Sequence, residues 1–282
     1  MMKIAGTVIL YNPDIEVIDN IQSYINAISK LYIVDNSELQ VKESLDDILQ
    51  FPHVVYLHDG ENKGIACRLN QVCNLAIQDG YEWLLTMDHD SSFIKKKLDE
   101  YFSCINTFEK KENVAMFGLR YYGEQLQEGC IASAVNELIT SGSVINLQLY
   151  PYVGGFDENL FIDEVDFEYC LNSVTHGYKI IQFQNIFLNH NLGHLSYHRS
   201  LKTNKLTPRT LHSPLRIYYG VRNFLYVQSK FKNNFKEDMC IKRKGLMNRI
   251  KNNILYNKKR WQVMKYIFKA ILDYNNSKMG KL

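Results

Sequence analysis

The chain has 282 residues, 46% apolar and 22% charged, with a net charge of +3. That is enough for one large domain with a sizeable core, and the balance excludes disordered and collagen-like classes. No run approaches the roughly 18 uninterrupted apolar residues of a membrane span.

From the N-terminus, Lys3 to Tyr11 reads as a buried strand and is followed by a helix from about Asp14, with Ile15, Ile18, Ile21, Ile25 and Ile28 at its apolar positions. A strand at Leu31–Val34 ends in Asp35-Asn36-Ser37, and another at Val54–Leu57 leads into a loop holding Gly60 and Gly64. A helix over about 66–78 carries Leu69, Val72, Cys73, Ala76 and Ile77 on one face. Trp83–Met87 is the fourth strand, 94–108 a helix, and Val114–Leu119 the fifth strand. This alternation predicts an α/β, Rossmann-like, doubly wound and mostly parallel sheet. The second half is less regular: one or two strands within 135–149, a helix ending at Gly177, a strand over 178–183, and mostly helix from Pro214 onward.

The N-terminus enters strand-like sequence at once, without the basic start and apolar core of a secretory signal, so a cytoplasmic protein is expected. Cys67, Cys73, Cys104, Cys130, Cys170 and Cys240 form no CxxC pair or zinc spacing and read as reduced thiols.

The fourth strand ends in Thr86-Met-Asp-His-Asp-Ser-Ser-Phe93. In doubly wound sheets ligands gather outside the carboxyl ends of the strands. Asp88 and Asp90 repel unless a cation relieves them. Oxygen donors without a neighbouring cysteine suit Mg²⁺ or Mn²⁺, ions that keep waters and take up substrate phosphates. A bare Asp-x-Asp can also end a strand as a solvated cap, but here the other polar loops share its rim.

Seven segments occur in order: "TVILYNP", "VDNS", "ENKGIACRLN", "MDHDS", "TSGS", "VGGFDENLFIDEVDFEYCL" and "HSPLRIYYGVRN". Over about residues 3–225 the chain resembles family 2 glycosyltransferases of the GT-A fold, and among them the rhamnosyltransferase-like branch. The resemblance implies a GT-A domain over 1–225 and a basic helical extension over 226–282. It implies that Asp88 and Asp90 hold Mg²⁺ or Mn²⁺ against the diphosphate of a nucleotide-sugar donor, that Thr7, Tyr11 and Pro13 line the nucleotide pocket, and that Asp35 accepts the pyrimidine N3–H. Asn62, Gly64 and Ala66 match a loop where backbone passes close to the nucleotide, and the resemblance places His89 against the donor. Asn36 and Ser37 read as turn formers.

Transfer with inversion needs a carboxylate to take the acceptor hydroxyl's proton. The family's Glu-Asp order is exchanged here, in Asp163-Glu164-Val165-Asp166. Alignment on Glu-Asp points to Glu164, whereas the Phe-Ile-Asp-x-Val-Asp pattern of the rhamnose branch favours Asp163. Asp166 suits support of the following helix. His190, with His194 second, matches a late histidine used as a further metal ligand. Arg216 and Arg222 suit donor diphosphate oxygens, since guanidinium forks match them.

From Lys230 onward, 15 Lys/Arg face three acids, a balance of +12, leaving −9 for residues 1–229. Basic helices bearing aromatics lie on anionic membrane surfaces. The expected partners are thus a nucleotide-diphosphate sugar, a glycan or lipid-linked acceptor, and an anionic surface on the inner face of the cell membrane, with no nucleic acid. The expected donor is dTDP-rhamnose, or else a UDP-hexose such as UDP-galactose or UDP-N-acetylglucosamine, for synthesis of a surface polysaccharide. A non-catalytic nucleotide-sugar binder, or nucleic-acid binding through the tail, is the alternative from another class.

Overall fold

The computed structural model describes residues 2–40, 45–94, 97–121, 129–190, 195–200 and 203–282. Its strands are β1 Ile4–Leu10, β2 Lys30–Asp35, β3 Val54–His58, β4 Trp83–Asp88, β5 Ser91–Phe93, β6 Val114–Arg120, β7 Ala132–Ala134, β8 Ser143–Asn146, β9 Lys179–His190, β10 Leu195–Arg199 and β11 Leu206–Thr210. Its helices are α1 Val17–Gln22, α2 Asp46–Leu49, α3 Ile65–Gln78, α4 Lys97–Thr107, α5 Tyr150–Val153, α6 Val165–Thr175, α7 Pro214–Phe231, α8 Lys236–Tyr256 and α9 Arg260–Asn275. The chain forms two compact units: residues 1–158 with 165–191, and residues 159–164 with 192–282.

The first unit holds a sheet in the order β3-β2-β1-β4-β8-β6-β9-β5, with β7 also on β9. β3, β2, β1 and β4 run parallel, as do β6 and β9, whereas β8 is antiparallel to both of its neighbours. This is the mixed α/β architecture that the strand–helix alternation predicts. Every residue of β1 is buried, as a central strand covered on both faces must be. On one face Phe117 stacks on Phe183 with centroids 5.9 Å apart and meets Phe108 edge-on at 5.3 Å. Burying one such ring contributes roughly 1.5–3 kcal/mol.

Three local expectations are corrected. The helix expected from about Asp14 is only α1, followed by a 3₁₀ turn at Ile25–Ala27. There the Ser23 hydroxyl donates back to the Asn20 carbonyl at 2.6 Å, competing with the helical ladder. β5, directly after Asp90, was not anticipated, because three residues are too few to show a period. Not all cysteines are reduced thiols: Cys104 on α4 and Cys130 form a disulfide, with Cα atoms 5.4 Å apart. Their 26-residue separation carries no spacing signature, so only the folded chain reveals the pair.

In the second unit, β10 and β11 form an antiparallel pair. Pro208 in β11 argues against a strand in the sequence, yet an edge position tolerates it. α7 packs on α8 and α9. Phe161, Ile217, Tyr218, Tyr219, Val221, Val263 and Ala270 form the unit's apolar core. The Tyr218 hydroxyl on α7 donates to Asp273 Oδ2 on α9 at 2.7 Å, pinning the two helices, and Lys269 of α9 reaches the same oxygen at 2.9 Å. Among the described residues no helix is long and apolar enough to cross a membrane.

Candidate active site

Strand register sets the first unit's rim. Leu10 lies opposite Asp35, Asp35 opposite His58, and Ile9 opposite Asp88, so three parallel strands end together with β4 beside them. The loops that follow are bonded to one another. The Asn12 N–H donates to Ser37 Oγ at 2.8 Å, and the Asn36 N–H to the Leu10 carbonyl at 2.8 Å. Asp35 is fully buried; Oδ1 accepts the Ser37 N–H at 3.0 Å, and Oδ2 accepts the Tyr56 hydroxyl. These bonds fix the orientation of the Asp35 carboxylate.

Asn36 joins this loop to the next. Its Nδ2 donates to Asn62 Oδ1 at 3.0 Å, and its Oδ1 accepts from the Lys63 N–H and from Arg68 Nε, both at 2.9 Å. Asn62 Oδ1 also accepts the Gly64 N–H at 3.1 Å. Gly64 has φ 83°, a conformation glycine adopts freely, and α3 begins after it with Ala66 buried. Arg68, itself buried, clamps Asp59 through both Nη atoms and donates to the Glu61 carbonyl. That guanidinium holds the Asp59 carboxyl far below its ordinary range. Arg68, Asp59 and Tyr56 were not singled out from sequence; an arginine two residues into an apolar helical face was the available signal.

Asp88, His89 and Asp90 are half-buried. The Asp88 N–H donates to Ser141 Oγ at 3.2 Å, and Ser141 Oγ bonds Ser91 Oγ at 2.8 Å. The His89 carbonyl accepts Asn20 Nδ2 at 2.9 Å. "TSGS" thus bonds to the aspartate loop through Ser141, a residue to which the sequence assigned no role of its own. Thr7 is buried within β1, opposite Thr86, and its Oγ1 has no hydrogen-bond partner among the described residues. Tyr11 is 44% exposed just beyond β1, and Pro13 half-buried. The backbone of His190 pairs with Ser91, one residue past Asp90, while its side chain lies outside the described residues, as does all of His194.

Among the described residues no cluster of three or more His, Cys, Asp or Glu could hold a metal. Two oxygen donors at a strand end fit an ion that completes its shell with diphosphate oxygens and water, rather than a closed protein cage.

In the second unit, the acid turn has unusual backbone. Phe161, Asp163 and Glu164 have φ 57°, 66° and 64°. Non-glycine residues there carry strain of order 1 kcal/mol or more each and need external support. Asn223, fully buried, supplies it: Nδ2 faces the carbonyls of Leu160, Ile162 and Asp163. Arg222 is 1% exposed, its Nη2 3.4 Å from the Asn159 carbonyl and its guanidinium centred 5.1 Å from the Tyr218 and Tyr219 rings. Arg216 is exposed, and its Nε donates to Asp163 Oδ2 at 2.9 Å. Lys242 Nζ lies 3.6 Å from Glu164 Oε2. Asn223 was missed because an asparagine directly after Arg222 reads as ordinary helix surface. In the first unit, Asp166 Oδ1 accepts the Phe167 N–H at 2.9 Å in the first turn of α6.

No family model matches the sequence. The chain is 28% identical over 246 residues to the dTDP-rhamnosyl transferase RfbF of Shigella flexneri, covering 78% of each chain. It superposes on GalNAc-T7 with UDP, GalNAc and Mn²⁺ at a TM-score of 0.59 and 10% identity, covering 98% of this chain and spanning 58% of that one. On residues 1–349 of S. aureus TarS in complex with UDP-GlcNAc the TM-score is 0.56 at 14% identity, covering 97% and 80%. The fold is that of GT-A glycosyltransferases. Together the similarities support a rhamnosyltransferase-like glycosyltransferase of family 2.

His212 offers a titration to follow. Burial first, then Arg249, with Arg216 adding and Asp163 opposing, holds its imidazole down to about 4 from the usual 6.5. The unfolded chain therefore takes up this proton first as pH falls. The stability that neutral His212 contributes is complete above 6.5 and is lost as pH drops to 4. Urea unfolding between pH 7 and 4.5 should show His212→Asn losing less stability than wild type; equal losses would contradict the assignment.

Proposed function

We propose that this glycosyltransferase moves one sugar, with inversion, from a pyrimidine nucleotide-diphosphate donor to a hydroxyl of a glycan or lipid-linked acceptor in surface polysaccharide synthesis. Residues 1–225 carry the transferase function and 226–282 are its basic extension. The observation that carries the reading is the paired Asp88 and Asp90 at the end of β4, on a rim whose loops are cross-bonded. The donor is dTDP-rhamnose, favoured by the similarity to the dTDP-rhamnosyl transferase of Shigella flexneri. A UDP-hexose is the second reading, favoured by UDP-sugar complexes of the same fold.

Asp35 accepts the pyrimidine N3–H, Tyr11, Pro13 and Thr7 line the nucleotide pocket, and Asn62, Gly64 and Ala66 let the backbone approach the ligand. His89 and Arg216 contact the donor; Arg222, expected on the diphosphate, is 1% exposed and instead supports the acid turn from within the fold. Asp88 and Asp90 hold Mg²⁺ or Mn²⁺, with His190 as the third protein ligand; the ion supplies positive charge to offset the departing nucleoside diphosphate. Asp163, with Glu164 as the alternative, takes the acceptor hydroxyl's proton as that oxygen bonds to C1 and the bond from C1 to the diphosphate oxygen breaks.

Calorimetry with dTDP-rhamnose, UDP-galactose and UDP-N-acetylglucosamine, each with and without Mn²⁺, tests the donor assignment. One donor should bind only with metal. Asp88→Ala and Asp90→Ala should each weaken it at least about tenfold, or 1.4 kcal/mol. Metal-independent binding, or none, would overturn the site.

The tail is proposed to rest on an anionic membrane surface. On α9, Trp261, Phe268 and Leu272 are exposed and share one helical face with Lys265. Co-sedimentation should be stronger with phosphatidylglycerol vesicles than with phosphatidylcholine vesicles, and Trp261→Ala/Phe268→Ala should release the protein. Binding to duplex DNA but not to vesicles would favour the nucleic-acid reading instead.

A further inference from the structure

The second unit contains a device that the reaction alone does not require. Both cations that approach Asp163 address the same oxygen: Arg216 Nε lies 2.9 Å from Oδ2, and Arg249 Nη2 lies 3.4 Å from it. Neither contact involves Oδ1. Arg216 comes from the first turn of α7 and is exposed, so alone it would be a loosely held partner. Arg249 comes from α8, has a side chain only 22% exposed, and also places Nη2 3.5 Å from the Arg216 carbonyl. It therefore grips the carboxylate and the backbone of the residue that holds that carboxylate.

Space for this grip comes from Gly220, in the interior of α7. A Cβ there would stand 3.3 Å from Arg249 Nη1, 3.6 Å from its Cζ and 3.7 Å from Asp163 Oδ2. Glycine in a helix interior is unfavourable relative to alanine. Here its missing side chain leaves room where guanidinium and carboxylate meet. α8 also reaches the neighbouring acid, through Lys242 and Glu164 at 3.6 Å.

We propose that Arg249 is a positioning residue for Asp163, and that Gly220 keeps open the space in which it works. By holding Oδ2, Arg249 and Arg216 present Oδ1 to the acceptor hydroxyl, whose proton moves to that oxygen as the new bond to C1 forms. This rests on the reading of Asp163 as the base. Helix α8 then has a second task besides any contact with a membrane: it sets the geometry of the acid turn.

The test measures nucleoside diphosphate release from the donor that binds in calorimetry, with water as acceptor, together with donor Kd and melting temperature. Asp163→Asn should lower kcat about 100-fold or more, as loss of a general base does. Arg249→Met should lower kcat about tenfold or more through misplacement of the carboxylate. Its donor Kd should stay within about twofold, or 0.4 kcal/mol of the wild type. Arg249→Lys should recover part of that loss. Gly220→Ala should melt no lower than wild type, because alanine favours the helix, and yet turn over more slowly. Independently of turnover, a crystal structure of Arg249→Met should show the Asp163 carboxylate displaced from Arg216 Nε. An unmoved carboxylate, wild-type kcat in Arg249→Met, or a kcat loss that only follows a lower melting temperature would overturn the proposal. Full activity in Asp163→Asn would overturn the assignment of the base itself, a different failure.

Discussion

Asp88 and Asp90 confront the chain with a simple electrostatic problem. Two carboxylates one residue apart, half-buried at the end of a buried strand, raise the cost of ionising each other unless positive charge is brought to them. Their setting includes no cluster of further acidic, histidine or cysteine side chains among the described residues, so protein ligands alone do not complete a cage. The Asp88 backbone is instead held by the hydroxyl of Ser141, itself bonded to Ser91. Such a site suits an ion that arrives with its substrate. The reading of the remaining rim depends on that constraint, since a diphosphate bound there would put the attached nucleoside among the neighbouring loops.

Those loops are stiffened from below. Arg68 and Asn36 bond three successive segments, 35–37, 59–63 and the start of α3, into one network. A buried guanidinium is costly unless paired, and Asp59 with the Glu61 carbonyl provides the pairing. The acid turn in the second unit follows the same pattern with different parts. Its left-handed residues are tolerated because Asn223 and Arg222 supply donors to otherwise strained backbone. In both places buried polar residues set the orientation of those proposed to meet the ligand.

Much of this was legible in the sequence, for identifiable reasons. β1, β2, β3, β4 and β6 are apolar runs bounded by polar or glycine-containing segments, and α3 shows a clean apolar face, so the sheet and its rim follow from periodicity. Asp88, Asp90, Asp35 and Asp163 stand out because charge ends an apolar run. Arg68, Asn223, Ser141 and Arg249 do not stand out: each works through a tertiary contact 32 to 86 residues away. The Cys104–Cys130 pair was hidden because its spacing carries no signature, and the β10–β11 hairpin because Pro208 lies in its second strand. α8 read as an amphipathic tail, yet Lys242 and Arg249 turn inward to the acid turn, which no charge count reveals.

The most direct test is anomalous diffraction from crystals soaked with Mn²⁺ and the nucleoside diphosphate of the bound donor. The account predicts one manganese peak within about 2.0–2.2 Å of oxygens from Asp88 or Asp90 and of diphosphate oxygens, the bonding range of a small hard cation. A nucleotide bound with no peak there, or with the metal held by other residues, would contradict it.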